Sequence, residues 1–357
     1  MTEKSICGSL GFGALFASSN SAEGFKNYYP MIFDRKKLKR LYIIKGGPGT
    51  GKSRFMKEVA KMAESKGNCV EYYKCSSDPD SLDGIMINGE IGIVDGTHPH
   101  SFDTDIAGAK DEIINLGAFW DGKKLSEKYD DIQRLCDLKQ SCYFKGYRYL
   151  SGCGEIARIN HSLIFPLLLE KKMLGSIARL MSLLPNGEDA VSVPSFTDSI
   201  GMKGRVKLDT FELCAEKLYQ VIDWYSSAHI YLAAVATAAK QKNIPIRVSC
   251  DPINTDRLDG VFLCNSKVAF VIADTDEEDD LPGTRVNMKR FVNKDGVNKI
   301  KKEFKNNERL YEALLSSAAE AFAKAGEYHF ELEEIYSSCM DFDAKEKFTA
   351  SFCENFI

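Results

Sequence analysis

The chain has 357 residues, 44% of them hydrophobic and 27% charged, with 10 prolines and a net charge of −4. That length exceeds what one hydrophobic core ordinarily supports and predicts two domains, or one domain with a large insertion. The composition excludes a disordered or fibrous protein, and the acidic balance argues against a nucleic-acid surface as the main business of the fold.

The first segment, "MTEKSICGSLGFGALFASS", has one lysine and then a short glycine-rich apolar run. It faintly resembles a signal peptide, but the run is weakly hydrophobic and a strand in a cytosolic protein explains it equally well. The 11 cysteines are scattered, with no CxxC pair. That suits reduced thiols in a cytoplasm better than a disulfide framework or a zinc site. The longest apolar runs, at 163–169 and 230–239, are too short to span a bilayer, so no membrane partner is expected.

Residues 46–53 read "GGPGTGKS" and match G-x-x-x-x-G-K-[ST] at every fixed position. "RLYIIK" before them predicts a buried strand. "SRFMKEVAKMAESKG" after them places Phe55, Met56, Val59, Ala60, Met62 and Ala63 on one helical face and ends at Gly67. Strand, glycine turn and helix are the order a phosphate cradle requires. Gly46, Gly47, Gly49 and Gly51 free the backbone to turn its N–H groups inward at the positive end of the helix. Pro48, Thr50 and Arg54 complete the expected nucleotide-contacting stretch. Lys52 reaches the β- and γ-phosphates, and the Ser53 hydroxyl is a Mg²⁺ ligand.

"NCVEYYKCSSDPDSLDG" then predicts a strand over about 69–74 and a loop carrying Asp78, Asp80 and Asp83. Asp78 or Asp83 is placed to hold and deprotonate an acceptor hydroxyl, although Asp-Pro-Asp-Ser is equally good turn chemistry. "EIGIVDGTHPH" (90–100) is a second buried strand ending in Asp95, the expected Mg²⁺-side carboxylate. His98 and His100 follow it, as a γ-phosphate sensor or as part of a polar rim; no third ligand nearby supports an H-x-H metal site. Residues from about 105 to 184 predict packed helices forming a lid-like insertion, with Arg148 and Arg158 as candidates to meet the transferring phosphate. "LPNGEDAVSVPS" (184–195) is rich in turn formers and divides a unit 1–185 from a unit 196–357.

The second unit repeats the first. Asp78-Pro79, Leu82-Asp83-Gly84-Ile85 and the strand ending in Asp95 are echoed by Asp251-Pro252, Leu258-Asp259-Gly260-Val261 and a strand ending in Asp274-Thr275. Aligning "QKN" at 241–243 on "KGN" at 66–68 sets Lys52 against Ser227 and Gly46 against Val221. With neither glycine nor lysine where a cradle needs them, the second unit is expected to be a degenerate copy.

Through "GGPGTGKS", "CSSDPDSLDG", "IGIVDGTHPH" and "EIINLGAFWD", the chain resembles a family of uncharacterised P-loop ATPases, sometimes labelled nucleotide kinases, of clostridial and bacillar Gram-positive bacteria. The resemblance covers most of the chain and is strongest over residues 40–125. It implies two tandem P-loop units, nucleotide binding by 46–53 and magnesium handling by Ser53 and Asp95. The chain departs from it at "WYSSAHIY", where a second phosphate loop would stand.

The expected fold is therefore α/β, a P-loop NTPase arrangement with a doubly wound parallel sheet flanked by helices, tandemly duplicated, the Asp95 strand beside the phosphate-loop strand. Expected cofactors are ATP and Mg²⁺, ATP being preferred because no Asn-Lys-x-Asp guanine signature is present. Three activities fit: an ATPase with Lys52 and Asp95 as catalytic groups, a small-molecule or nucleotide kinase with Asp78 or Asp83 as base, and an ATP-gated binding protein. Asp95 is followed by glycine, which weakens the most active ATPase pattern. A protein partner, a small-molecule acceptor and homo-oligomerisation remain open.

Overall fold

The computed structural model describes residues 11–273 and 283–356. The elements of the first half are β1 (Ala14–Phe16), β2 (Ser18–Ser21), β3 (Gly24–Asn27), α1 (Tyr29–Ile32), β4 (Arg40–Lys45), α2 (Lys52–Ser65), β5 (Val70–Lys74), β6 (Leu82–Ile87), β7 (Ile91–Asp95), β8 (Asp111–Asn115), α3 (Gly122–Glu127), α4 (Tyr129–Ile164) and α5 (Glu170–Met181). Those of the second half are β9 (Ser192–Ser195), β10 (Asp198–Gly201), β11 (Gly204–Lys207), α6 (Thr210–Cys214), β12 (Lys217–Ile222), α7 (Ala228–Gln241), β13 (Ile246–Cys250), β14 (Leu258–Leu263), β15 (Val268–Ala273), β16 (Thr284–Asn287), α8 (Lys294–Ser337) and α9 (Phe342–Phe356).

Two six-stranded sheets have the same order, β1-β5-β6-β7-β4-β8 and β9-β13-β14-β15-β12-β16. The expected duplication is thus visible in the topology. The expected all-parallel winding is not: β6 and β14 run antiparallel to both neighbours while the remaining pairings are parallel. The cause lies in Asn88-Gly89, both at positive φ (52° and 68°), which close β6 onto β7 as a tight hairpin. Beside them, β4 pairs with β7 in parallel register Ile44↔Asp95, so the phosphate-loop strand and the Asp95 strand are neighbours.

The register also corrects the alignment of the two halves. Lys52 and Ala228 each open the helix after the loop, and that loop is one residue shorter in the second half, 223–227 against 46–51. Lys52 therefore corresponds to Ala228 rather than Ser227. Ile272, paired with Val221, stands where Asp95 pairs with Ile44; Asp274 and Thr275 lie outside the described residues.

The two halves are related by an approximate two-fold. Phe16 and Phe196 exchange reciprocal backbone hydrogen bonds of 2.9 Å across the edge strands. The β2–β3 hairpin reaches the second half through Ala22 N–H to Ile253 O, and β10–β11 reaches the first through Met202 N–H to Ser77 O, both 2.9 Å. A continuous apolar core runs through this junction, from Phe16, Phe33 and Leu41 to Phe196, Val221 and Phe262. The long helices α4 and α8 then lie against each other along their length, with Asn307 Nδ2 donating to Asn160 Oδ1 at 2.9 Å and Gly146 making room for the Phe322 ring. Each carries its chain across to the opposite half, so that α5 packs on α7 and α9 packs on α2.

One position is occupied oppositely in the two halves. Glu71, second in β5, and Arg247, second in β13, meet at 2.8 Å, both almost fully buried, with Tyr73 Oη donating to Glu71 and accepting from Arg247. The Phe12 ring lies 4.9 Å beneath the guanidinium. Arg247→Met strands the Glu71 carboxylate in the core and is expected to lower the unfolding free energy by about 3–5 kcal/mol in a denaturant titration. Replacing both residues by apolar ones of similar size should recover most of the loss; a single variant as stable as the parent protein would show that the pair does not hold the halves together.

Candidate functional site

The turn between β4 and α2 is shaped by its glycines. Gly49 and Gly51 sit in the left-handed region (φ 70° and 75°), which side chains resist, and α2 begins directly at Lys52. Thr50 is buried and its Oγ1 donates to Gly47 O at 2.9 Å, closing the turn from inside. Lys52 folds back over it, with Nζ donating to Gly46 O and Gly47 O at 2.9 and 3.0 Å and lying 3.6 Å from Asp95 Oδ2. The amides at the start of α2, the Lys52 ammonium and the Asp95 carboxylate are thereby brought to one point by two neighbouring parallel strands.

Around that point the expected residues separate. Ser53 Oγ accepts the Leu82 N–H at 3.0 Å, tying α2 to the start of β6 and leaving its own proton free to be directed. Asp95 Oδ1 accepts from both the N–H and the hydroxyl of Thr97, at 2.8 and 2.6 Å, which fixes the carboxylate at the strand end. Asp83 is buried on β6, one step beyond the Gly84↔Val94 pair and so beside Asp95. Its Oδ2 lies 3.3 Å from His100 Nε2 and makes no hydrogen bond, and His100 Nδ1 is also unpartnered. Burial disfavours the charged imidazole, but the Asp83 and Asp95 carboxylates outweigh it and raise the His100 pKa. The ring is stacked on Tyr29, centroids 5.0 Å apart.

Other candidates go elsewhere. Asp78 takes the turn role, accepting from Ser81 Oγ at 2.8 Å and lying 3.4 Å from Lys203 Nζ of the β10–β11 hairpin. Arg54 is turned outward to Glu58 and to Glu346 of α9, each at 2.9 Å, away from the loop interior. His98 is exposed and His100 buried, so the H-x-H pair does not converge. Arg148 is exposed over the Phe144 ring, and Arg158 pairs with Glu155 on the surface of α4; neither reaches the phosphate loop. Of the groups that do reach it, Trp120 belongs to the same half and the others come from across the molecule. Trp120 and Tyr336 flank Gly47, Glu333 and Ser337 lie on Gly49, and Lys345 lies beside Gly51. Sequence reasoning missed the α8 and α9 residues because they stand almost 300 positions away from the loop, and only the exchange of helices makes them neighbours.

The corresponding turn of the second half is filled by its own side chain. Asp223 Oδ2 accepts from Ser226 N–H at 3.0 Å and Oδ1 from Ala228 N–H at 2.8 Å, with Tyr225 and Ser226 held at positive φ (57° and 54°) to aim the amides inward. Burial raises the Asp223 pKa, and the amides of Ala228, Trp224, Ser226 and Ser227 oppose the rise. An internal carboxylate thus takes the place an external anion would need at the start of α7.

Hard oxygen donors suit Mg²⁺, and Ser53 and Asp95 supply them. Among the described residues no group of three or more His, Cys, Asp or Glu side chains forms a protein-only metal cage. No described helix is long and apolar enough to cross a membrane.

At the far end of α4, His161 Nδ1 meets His229 Nε2 at 3.0 Å. Burial, with Arg257 and His161 adding like charge, pushes His229 down to about 3 from 6.5. The unfolded chain takes up this proton near 6.5 and the folded one only near 3, so stability is full above that interval and falls through it by up to about 1.4 kcal/mol per pH unit. His229→Gln should flatten the dependence of the unfolding midpoint on pH below 6.5 relative to the parent protein; parallel curves would show that His229 is not held neutral. Comparison of the chain with protein-family models, with curated proteins and with solved structures gave no match.

Proposed function

We propose that the chain is a P-loop protein of the tandem family it resembles, cytoplasmic, binding Mg²⁺-ATP at the first half and releasing its γ-phosphoryl group slowly to water. One observation carries this reading: the Lys52 ammonium sits between the carbonyls of its own glycine turn and Asp95 on the adjacent parallel strand. A cation, a run of inward amides and a strand-end carboxylate at one point suit a triphosphate with its metal and suit few other ligands. When bound, Mg²⁺ would neutralise phosphate charge, with Ser53 and Asp95 as its protein ligands. Lys52 and the amides hold the phosphates in place, and the buried Asp83–His100 pair is positioned to orient the attacking oxygen and receive its proton at the Asp83 carboxylate.

That buried carboxylate beside His100 also favours the second reading, in which the attacking group is the hydroxyl of a small acceptor. The base is then Asp83, because Asp78 is engaged in its turn and with Lys203. The Asp223 carboxylate leaves the second half without a phosphate site, so one nucleotide per chain is expected.

Phosphate release from Mg²⁺-ATP by the purified chain should disappear in Lys52→Ala, and Asp83→Asn should lower kcat by about 10²–10⁴-fold while leaving nucleotide affinity unchanged. Calorimetry should count one ATP per chain. Release that persists in Lys52→Ala overturns the assignment; ATP consumed only when candidate acceptors are added selects the kinase.

A further inference from the structure

A basic cavity opens on the second half, where α8 begins. Its volume is about 490 Å³, and Lys172, Lys289, Arg290 and Lys294 line it together with the apolar side chains of Leu169 and Val292. Asn293 completes the wall, its Oδ1 accepting from the Asp295 and Gly296 N–H groups at 3.0 and 3.2 Å and so capping α8 at the cavity. The four cations are exposed, and among the described residues none of them forms an ion pair. No carboxylate lines the cavity.

Four exposed cations alone would make an ordinary solvated face, but the duplication supplies a comparison. Asn115 and Asn287 end the matching strands β8 and β16, and from each the chain runs seven residues to open a helix, at Gly122 and at Lys294. The backbone contacts match too. Asp121 N–H donates to Cys339 O and Asn293 N–H to Leu167 O, both at 2.8 Å, while Asp341 N–H donates to Phe119 O at 2.9 Å and Leu169 N–H to Phe291 O at 2.7 Å. Position by position, Lys289, Arg290 and Lys294 stand where the first half has Gly117, Ala118 and Gly122. Lys172, third in α5, stands where Ala344 is third in α9. The acids Asp121, Asp341 and Asp343 of the first half are replaced by Asn293, Leu169 and Lys171. Glu170 and Asp295 are confined to the first turns of α5 and α8, and neither lines the cavity.

The same backbone frame therefore stands in the first half with no cation at any of the four places, so packing does not require them. Gathered around one concavity beside the positive end of a 44-residue helix, they raise its potential together and attract an anion. We propose that this cavity is a second anion site, for a small molecule carrying two or more phosphate groups and no bound metal. Arg290 offers a fork to one phosphate and the lysines act as point charges on the rest. Leu169 and Val292 give a carbon skeleton something to rest on, and the volume is that of a small-ligand site. With no carboxylate to hold Mg²⁺, the cavity differs from the first-half site, where Ser53 and Asp95 are hard oxygen donors. Binding is reversible and involves no covalent step, and it does not rest on the nucleotide reading above.

Calorimetric titration of the full chain with inorganic pyrophosphate, without Mg²⁺, tests the site. Binding should survive in Lys52→Ala and weaken about tenfold or more when Lys289→Ala and Arg290→Ala are combined. It should be unchanged when Lys301→Ala and Lys302→Ala are combined, which removes two exposed cations of α8 outside the cavity. All of these side chains except Lys52 are exposed, so the double variants are expected to unfold at the parent midpoint. Absence of binding in the parent protein overturns the proposal, as does a loss in Lys52→Ala, which would assign the event to the first half. Equal losses in the two double variants, or an affinity for single-stranded RNA that rises with its length, would show a diffuse basic surface instead. Binding that appears only after Glu277→Gln, Glu278→Gln, Asp279→Asn and Asp280→Asn are combined would assign the cavity to the chain's own acidic stretch and overturn the proposal as well.

Discussion

Everything at the candidate site depends on the packing of α4 against α8. At 36 and 44 residues the two helices are about 54 and 66 Å long, enough to pass from the tip of one sheet to the tip of the other. Because they run side by side, each must end on the half it did not start from. The glycine turn at 46–51 is consequently packed by Glu333, Tyr336, Ser337 and Lys345. Small side chains at the crossing permit this: Gly146 admits the Phe322 ring and Gly152 admits Leu314. The Asn160–Asn307 bond satisfies two buried amides that would otherwise oppose the contact.

A duplicated chain can do what two identical subunits cannot. At the approximate two-fold, a residue of one half faces its own counterpart, and in a symmetric dimer a charge there would meet a like charge. Here the two positions carry Glu71 and Arg247, and the buried contact is attractive. The same freedom separates the two loops. The first keeps the glycines, Lys52 and Asp95; the second has Ala228 and Ile272 at the corresponding places and supplies Asp223 from within. Sheet order and helix exchange stay common to both halves because they serve packing, while the charged groups diverge because only one half needs them.

Much of the first loop was legible in the chain. Glycines, lysine and serine at fixed spacing between an apolar strand and an amphipathic helix state their geometry locally, and Asp95 could be placed because its strand ends in Asp-Gly. The degenerate character of the second loop followed from what "WYSSAHIY" lacks. The antiparallel β6 was equally local, written in Asn88-Gly89, but the expectation of a parallel winding overrode it. The one-residue shortening of the second loop hid the correspondence of Lys52 with Ala228. Nothing in the chain marked Glu333, Ser337 or Lys345, since a long amphipathic helix announces its apolar stripe and not the end of the molecule to which its polar face is carried. The arginines singled out on α4, Arg148 and Arg158, lie on the exposed side of that helix.

A run of inward-pointing amides at a helix start is costly to leave without an anion, and the second half meets that demand with the Asp223 carboxylate. Asp223 belongs to the turn it fills, three and five residues from the amides it accepts, so an external anion could replace it only by unmaking the turn. The first turn is packed from outside by α8, through Ser337 and the close approach at Gly49. The two halves therefore shape the same turn by different means, one from within its own loop and the other from a helix brought across from the opposite half.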